Sequence, residues 1–184
     1  GMGFGHAPKC HLFSFYNSPD RLGPWSLCRL NVAEDGYIFE MDCYWWNEEL
    51  SIKTPRSRID QGYTFKYPDP EDFSDEMIGS ISNAIDRMEV SLTDETYPDR
   101  IDVDSWAAWL LGHDILGSAD GKGSNIYMTK YSEDPADKIK MGNMWDFDGI
   151  YGSTTVDDWS MIHNFDKLYF PSLISNGDHA FKNA

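Results

Sequence analysis

Apolar positions along the chain change their period near residue 70. Before it, Leu27 to Val32 and Tyr37 to Cys43 read as strands on either side of Ala33-Glu34-Asp35-Gly36, where the glycine can supply the positive φ of a hairpin turn. Tyr44-Trp45-Trp46 extends this part as an aromatic cluster, and a polar segment with Lys53, Arg56 and Arg58 follows. Tyr63 to Tyr67 predicts one more strand, stopped by Pro68-Asp69-Pro70. Beyond that, Phe73, Met77, Ile78, Ile81, Ile85, Met88 and Leu92 recur at spacings that predict a helix over 74–92. Ser74 suits its N-cap, and Asp75 and Glu76 suit the positive end of its dipole. A second helix is expected from near Asp102 to about Gly117, with Val103, Trp106, Leu110 and Leu111 inward. Asn125 to Tyr131 and Ile139 to Trp145 predict a β-hairpin across a Ser132–Lys138 loop. The tail from Thr154 predicts a short helix over 156–168 and then irregular chain. A strand-rich first part followed by helices and a hairpin is an α+β pattern.

Composition narrows the partners. The chain of 184 residues is one domain's worth, and 41% hydrophobic with 15% aromatic residues is enough to bury a sizeable core. No run approaches the length of a membrane span. With 31 acidic against 15 basic residues the formal charge is −16, which argues against nucleic acid, because phosphate neutralisation needs clustered Lys and Arg. An anionic substrate would have to approach such a surface through bound cations. Cys10, Cys28 and Cys43 form no CxxC pair, so zinc is not expected; one bridge or three buried thiols are both compatible with them.

The chemistry concentrates between residues 120 and 149. Asp120 is followed five residues later by Asn125, then by a hairpin, then by Trp145-Asp146-Phe147-Asp148-Gly149. Protein kinases set a catalytic Asp and a metal-binding Asn at that spacing, and a further Asp beside a Phe holds Mg²⁺ over the phosphates. A calcium loop fits less well, since Lys122 stands where an acidic ligand belongs. Glu40 and Asp42 share one face of a strand, which suits either a metal or, more commonly, a solvated hairpin face. His113 reads as a structural histidine, and Arg56 and Arg58 as salt-bridging residues rather than phosphate ligands. Trp45, Trp46, Trp106 and Trp109 read most simply as core; exposed, they would suit a carbohydrate surface.

Five segments in order resemble the CotH kinase family, relatives of the bacterial spore-coat protein CotH with an atypical protein-kinase-like fold. They are Gly36 to Asp42, Tyr63 to Glu71, Ile101 to Trp106, Asp120 to Tyr127 and Trp145 to Asp148, covering roughly residues 36–152. The resemblance implies an ATP-dependent phosphotransferase that uses Mg²⁺ or Mn²⁺ and takes a protein Ser or Thr hydroxyl as acceptor, in an extracytoplasmic or cell-surface setting. It implies Asp120 as the catalytic residue, Asn125, Asp146 and Asp148 as metal ligands, and Lys66, Trp145 and Asn125 as cofactor-binding residues. The expected architecture is one partial kinase-like domain over 1–184, shortened at both ends. It would hold mainly the C-lobe with part of the N-lobe β-hairpin, strand-rich over 1–70 and helical over 71–184. Ser118 and Gly112-His113 depart from the family, which commonly has Asn at the first position and tends to have Asn-Glu at the second. These departures leave open a second reading, a pseudokinase-like surface module that binds metal, glycan or a protein without turnover.

Overall fold

A computed structural model describes residues 30–56, 61–117, 123, 125–144, 165, 168–175 and 180–184. Five strands make one antiparallel sheet: β1 (Tyr37–Asp42), β2 (Ser51–Ile52), β3 (Gly62–Tyr67), β4 (Ile126–Lys130) and β5 (Ile139–Met141). Their order across the sheet is β2-β3-β1-β4-β5. The helices are α1 (Asp75–Ser91), α2 (Val103–Leu116), α3 (Phe170–Ser175) and α4 (Ala180–Asn183). Mixed helix with an antiparallel sheet is the α+β class expected.

The two long helices begin and end where local chemistry dictates. The Ser74 hydroxyl accepts the Met77 amide at 3.2 Å, and Asp102 accepts the Ser105 amide at 2.9 Å, each satisfying an otherwise orphaned first-turn donor. Gly117 closes α2 in the left-handed conformation, φ 68°, which costs a glycine little. Alternate residues of the sheet (Tyr37, Phe39 and Met41 on β1, Tyr63 and Phe65 on β3, Ile126 and Met128 on β4) are buried in one cluster with Ile81, Ile85 and Met88 of α1 and Trp106 and Leu110 of α2. Phe73 closes its edge, 4.8 Å from Phe65 and 6.0 Å from Tyr37 between ring centroids. Trp106 is anchored as well as buried, its indole N–H donating to the Ile139 carbonyl at 3.1 Å. In the same core Glu89 of α1 accepts hydroxyl hydrogen bonds from Thr54, Tyr63 (2.7 Å) and Tyr169 (2.5 Å), tying helix, sheet and the entry to α3 together.

Several expectations change. The hairpin around Ala33–Gly36 does not form: residues 30–32 are not a strand, and β1 pairs instead with the distant β3 and β4. The turn is real, with the Gly36 amide on the Ala33 carbonyl at 3.0 Å, but it hangs on β4's end through the Ala33 amide to the Tyr131 carbonyl at 2.7 Å. Residues 170–175 and 180–183 are short helices where irregular chain was expected. Leu111 is 59% exposed, not inward; Trp109 and His113 take the buried side of α2. Trp46 is 64% exposed, outside the core assigned to it. The 156–168 helix falls almost wholly outside the described residues, as do Arg58, Cys10 and Cys28; Cys43 is a free thiol.

Candidate functional site

The face of the sheet turned away from the core carries polar groups beside the fully buried Ile38, and the register assembles them. Glu40 of β1 lies opposite Thr64 of β3 on one side and Tyr127 of β4 on the other. By the two-residue period, Asp42 and Lys66 share that face. The Lys66 ammonium sits 3.2 Å from the Glu40 carboxylate and 3.3 Å from that of Glu48. Glu40 is buried, 5% exposed, so it is not the solvated hairpin residue that alternation alone suggested. Burial pushes its carboxyl above the usual range, and the nearby Lys66 charge and hydrogen bond oppose that shift. Burial, and then the charges of Glu40, Asp42 and Glu48, push the Tyr127 phenol well above the ordinary tyrosine value. The Thr64 hydroxyl, fully buried beside this group, has no hydrogen-bond partner among the described residues.

One end of the face is set by a strained entry to β4. Asn125 directly precedes the strand and has φ 59°, a left-handed conformation that asparagine tolerates better than other side chains. Because Ile126 lies opposite Met41, Asn125 enters beside the Asp42 end of β1. Gly123, two residues earlier, has φ 118°, and the Gln61 side chain occupies the space where any β-carbon would stand. The Asp42 carboxylate accepts the Tyr44 amide at 3.1 Å. The result is a charged floor with Lys66 and Glu40 in its middle and Asn125 at one end.

A family model described as CotH kinase protein matches residues 22–177. The chain belongs to the CotH kinase family. Membership points to kinase-like function. Comparison with curated proteins gives no match, and neither does comparison with solved structures.

Of the residues the CotH resemblance singled out, Lys66 and Asn125 stand on this polar face, Lys66 within the sheet and Asn125 at its edge. Two carboxylates hold the Lys66 ammonium. Asp120, Trp145, Asp146 and Asp148 lie outside the described residues. Among the described residues no three His, Cys, Asp or Glu side chains gather closely enough to hold a metal ion, and no helix is long and apolar enough to cross a membrane. At the family's Asn-Glu position, His113 is buried, stacked on Trp109 at 3.7 Å between ring centroids, with Nδ1 3.0 Å from the Trp109 carbonyl. It is the structural histidine expected. Arg56 pairs with Asp86 at 3.1 Å, salt-bridging as expected.

Glu48, Thr64 and Tyr127 were not legible as site residues. Thr64 and Tyr127 are brought to Glu40 by strand pairing across more than twenty positions of sequence, and local periodicity carries no trace of that partner choice. The usable signal was narrower: an acid and a lysine on strand positions that alternate with the apolar, core-facing ones.

Proposed function

We propose that this chain is a CotH-type phosphotransferase that transfers the γ-phosphoryl group of ATP, with Mg²⁺ or Mn²⁺, to a Ser or Thr hydroxyl of a protein, within a protein-kinase-like domain over residues 1–184. The observation that carries it is the Asp120, Asn125, Asp146, Asp148 series inside a CotH match that spans most of the chain. Asp120 takes the part of the residue that orients the acceptor hydroxyl and accepts its proton. Asn125, Asp146 and Asp148 are all hard oxygen donors, the ligand chemistry that Mg²⁺ and Mn²⁺ prefer. The metal, when bound, would neutralise charge on the transferred phosphoryl group. Lys66 and Trp145 would serve the nucleotide, Trp145 by stacking on the base. Glu40 and Glu48 fix the Lys66 ammonium in place, so Lys66 acts as an oriented cation and not as a mobile one.

The polar face supports this reading through Asn125, whose backbone is held in a rare conformation at its edge. The test is transfer of ³²P from ATP to the protein itself or to a generic acceptor. Asp120→Ala should lose about a hundredfold or more of the rate, and Asp146→Ala should abolish the metal dependence. Equal labelling by wild type and Asp120→Ala would overturn the catalytic assignment.

A second reading, a non-catalytic pseudokinase-like module for metal, glycan or a protein partner, draws on His113. Its ring is committed to Trp109 at a position where the family tends to carry an acid, and Ser118 replaces the family's Asn. Calorimetry separates the two. Mg-ATP binding that needs Asp146 and Asp148 favours the enzyme; glycan binding without metal favours the module.

A further inference from the structure

At the opposite end of β4 a polar cavity, of about 250 Å³, opens between α1 and the β4–β5 loop. Its helix wall is Ser80, Asn83, Ala84 and Arg87, an i, i+3, i+4, i+7 stripe that places all four on one side of α1. Arg100 lines it from the segment before α2, where the Arg100 carbonyl accepts the Ile139 amide at 2.8 Å. Lys130 lines it from the end of β4, buried, its ammonium on the carbonyls of Ser132 (2.5 Å) and Asp134 (2.6 Å).

What distinguishes this cavity is the state of its arginines. The chain carries 31 acidic residues against 15 basic ones, so a side-chain cation meets a carboxylate easily. Among the described residues Arg56, Lys66 and Lys140 each do so. Among the described residues the side chains of Arg87 and Arg100 form no hydrogen bond and no ion pair, and both line the same cavity. The two acids that also line it are engaged elsewhere: Glu133 accepts the Tyr37 hydroxyl and Asp137 accepts the Ser132 hydroxyl. The loop is braced further, with the Ala136 amide on Asp134 at 2.8 Å and the Asp137 amide on the Asp134 carbonyl at 3.0 Å. The wall facing the arginines is therefore preorganised; three cations and two hydrogen-bonded carboxylates line the cavity, and Asp134 and Asp35 also act on the Lys130 charge.

We propose that this cavity is a binding site for a phosphate monoester, the two guanidinium groups of Arg87 and Arg100 forming the fork that receives its oxygens while Lys130 supplies charge from the floor. Planar guanidinium groups match the oxygens of a phosphate two at a time, which an ammonium cannot do. Asn83 and Ser80 add neutral polar groups to the same wall. The cavity holds a phosphorylated side chain more readily than a nucleotide, given its volume and its single helical wall. It lies at the far end of β4 from Asn125, a strand length of roughly 17 Å, and binding there does not require the proposed transfer activity.

Titration by heteronuclear NMR, with EDTA and without nucleotide, tests this on the full chain. The probes are a short phosphoserine peptide, its unphosphorylated counterpart and inorganic phosphate. The phosphoserine peptide should shift Arg87 and Arg100 resonances saturably and the unphosphorylated peptide should not. Inorganic phosphate that competes at the same resonances identifies the shared chemistry; binding as tight as the peptide's would mark the free ion as the ligand. Arg87→Gln and Arg100→Gln should each weaken binding about tenfold, the loss of one charged hydrogen-bonding group. Asp120→Ala and Lys138→Gln should leave it unchanged. No saturable shift with either phosphate probe would overturn the proposal. So would equal affinity in both arginine variants whose circular dichroism matches wild type.

Discussion

The two faces of one sheet are made by the same strands, residue by residue in alternation, yet they are held together by different forces. On the inner face Phe39 and Met41 pack against Tyr63, Ile126 and Met128 over α1 and α2, and the stabilisation scales with apolar area. On the outer face Glu40 is buried within the range of the core residues but is stabilised by Lys66. An apolar core tolerates a rearranged neighbour of similar volume. A buried charge tolerates nothing that removes its partner, because the desolvation cost stays when the attraction is gone. Burial alone therefore says little about which changes a position accepts.

Breaking the inner face should have the largest effect. Phe39→Ala removes a fully buried ring and should cost about 3–5 kcal/mol in urea unfolding, from lost transfer energy and the cavity left behind. Breaking the outer face should come next: Lys66→Ala strands the Glu40 carboxylate and should cost about 3 kcal/mol, whereas replacing both residues by apolar ones should cost much less. A double-mutant cycle that returned additive effects would mean the ion pair contributes nothing.

The faces should also differ in their response to pH. The Glu40 carboxyl is raised from its ordinary value of 4.5, so the folded chain holds this proton more tightly than the unfolded one. Its contribution to stability is full below 4.5 and is lost as pH rises through the folded value. Glu40→Gln should flatten that part of the profile of urea midpoint against pH, while Phe39→Ala should shift the profile without changing its slope.

A smaller effect sharpens the contrast from within the core, where Glu89 is buried among hydroxyls. Glu89→Gln keeps shape but substitutes two donors for an acceptor oxygen facing Thr54, Tyr63 and Tyr169, and should cost about 1–3 kcal/mol. The smallest is Ser74→Ala, about 1 kcal/mol for loss of the α1 cap and no effect on either face. Thermal melts with matched calorimetry would rank all four.

Legibility in the sequence followed the range of the interaction. Ser74, Asp102 and Gly117 marked the helix ends because caps act over three or four residues. The β4–β5 hairpin was legible because its partners are neighbours. β1 was legible as a strand but not in its pairing, since Ala33–Gly36 offers a good local turn and the true partners, β3 and β4, lie far along the chain. β2, two residues long, carries too little pattern to find. At the candidate site Lys66 and Asn125 came from family likeness, Glu40 was read on the correct face with the wrong environment, and Tyr127 was missed because its role exists only through cross-strand register. The arginine-lined cavity left no sequence trace, since an unpaired side chain is a property of its surroundings.

Gly123 has a consequence for how this chain can vary. Its φ is one that other residues rarely adopt, and the Gln61 side chain fills the volume beside its Cα, so two independent restrictions fall on one position. A saturation library at residue 123 should return glycine alone among well-expressed clones, and relaxing Gln61 to a smaller residue should not widen that outcome, because the backbone restriction remains. Divergence on the approach to Asn125 is thereby barred at residue 123 itself.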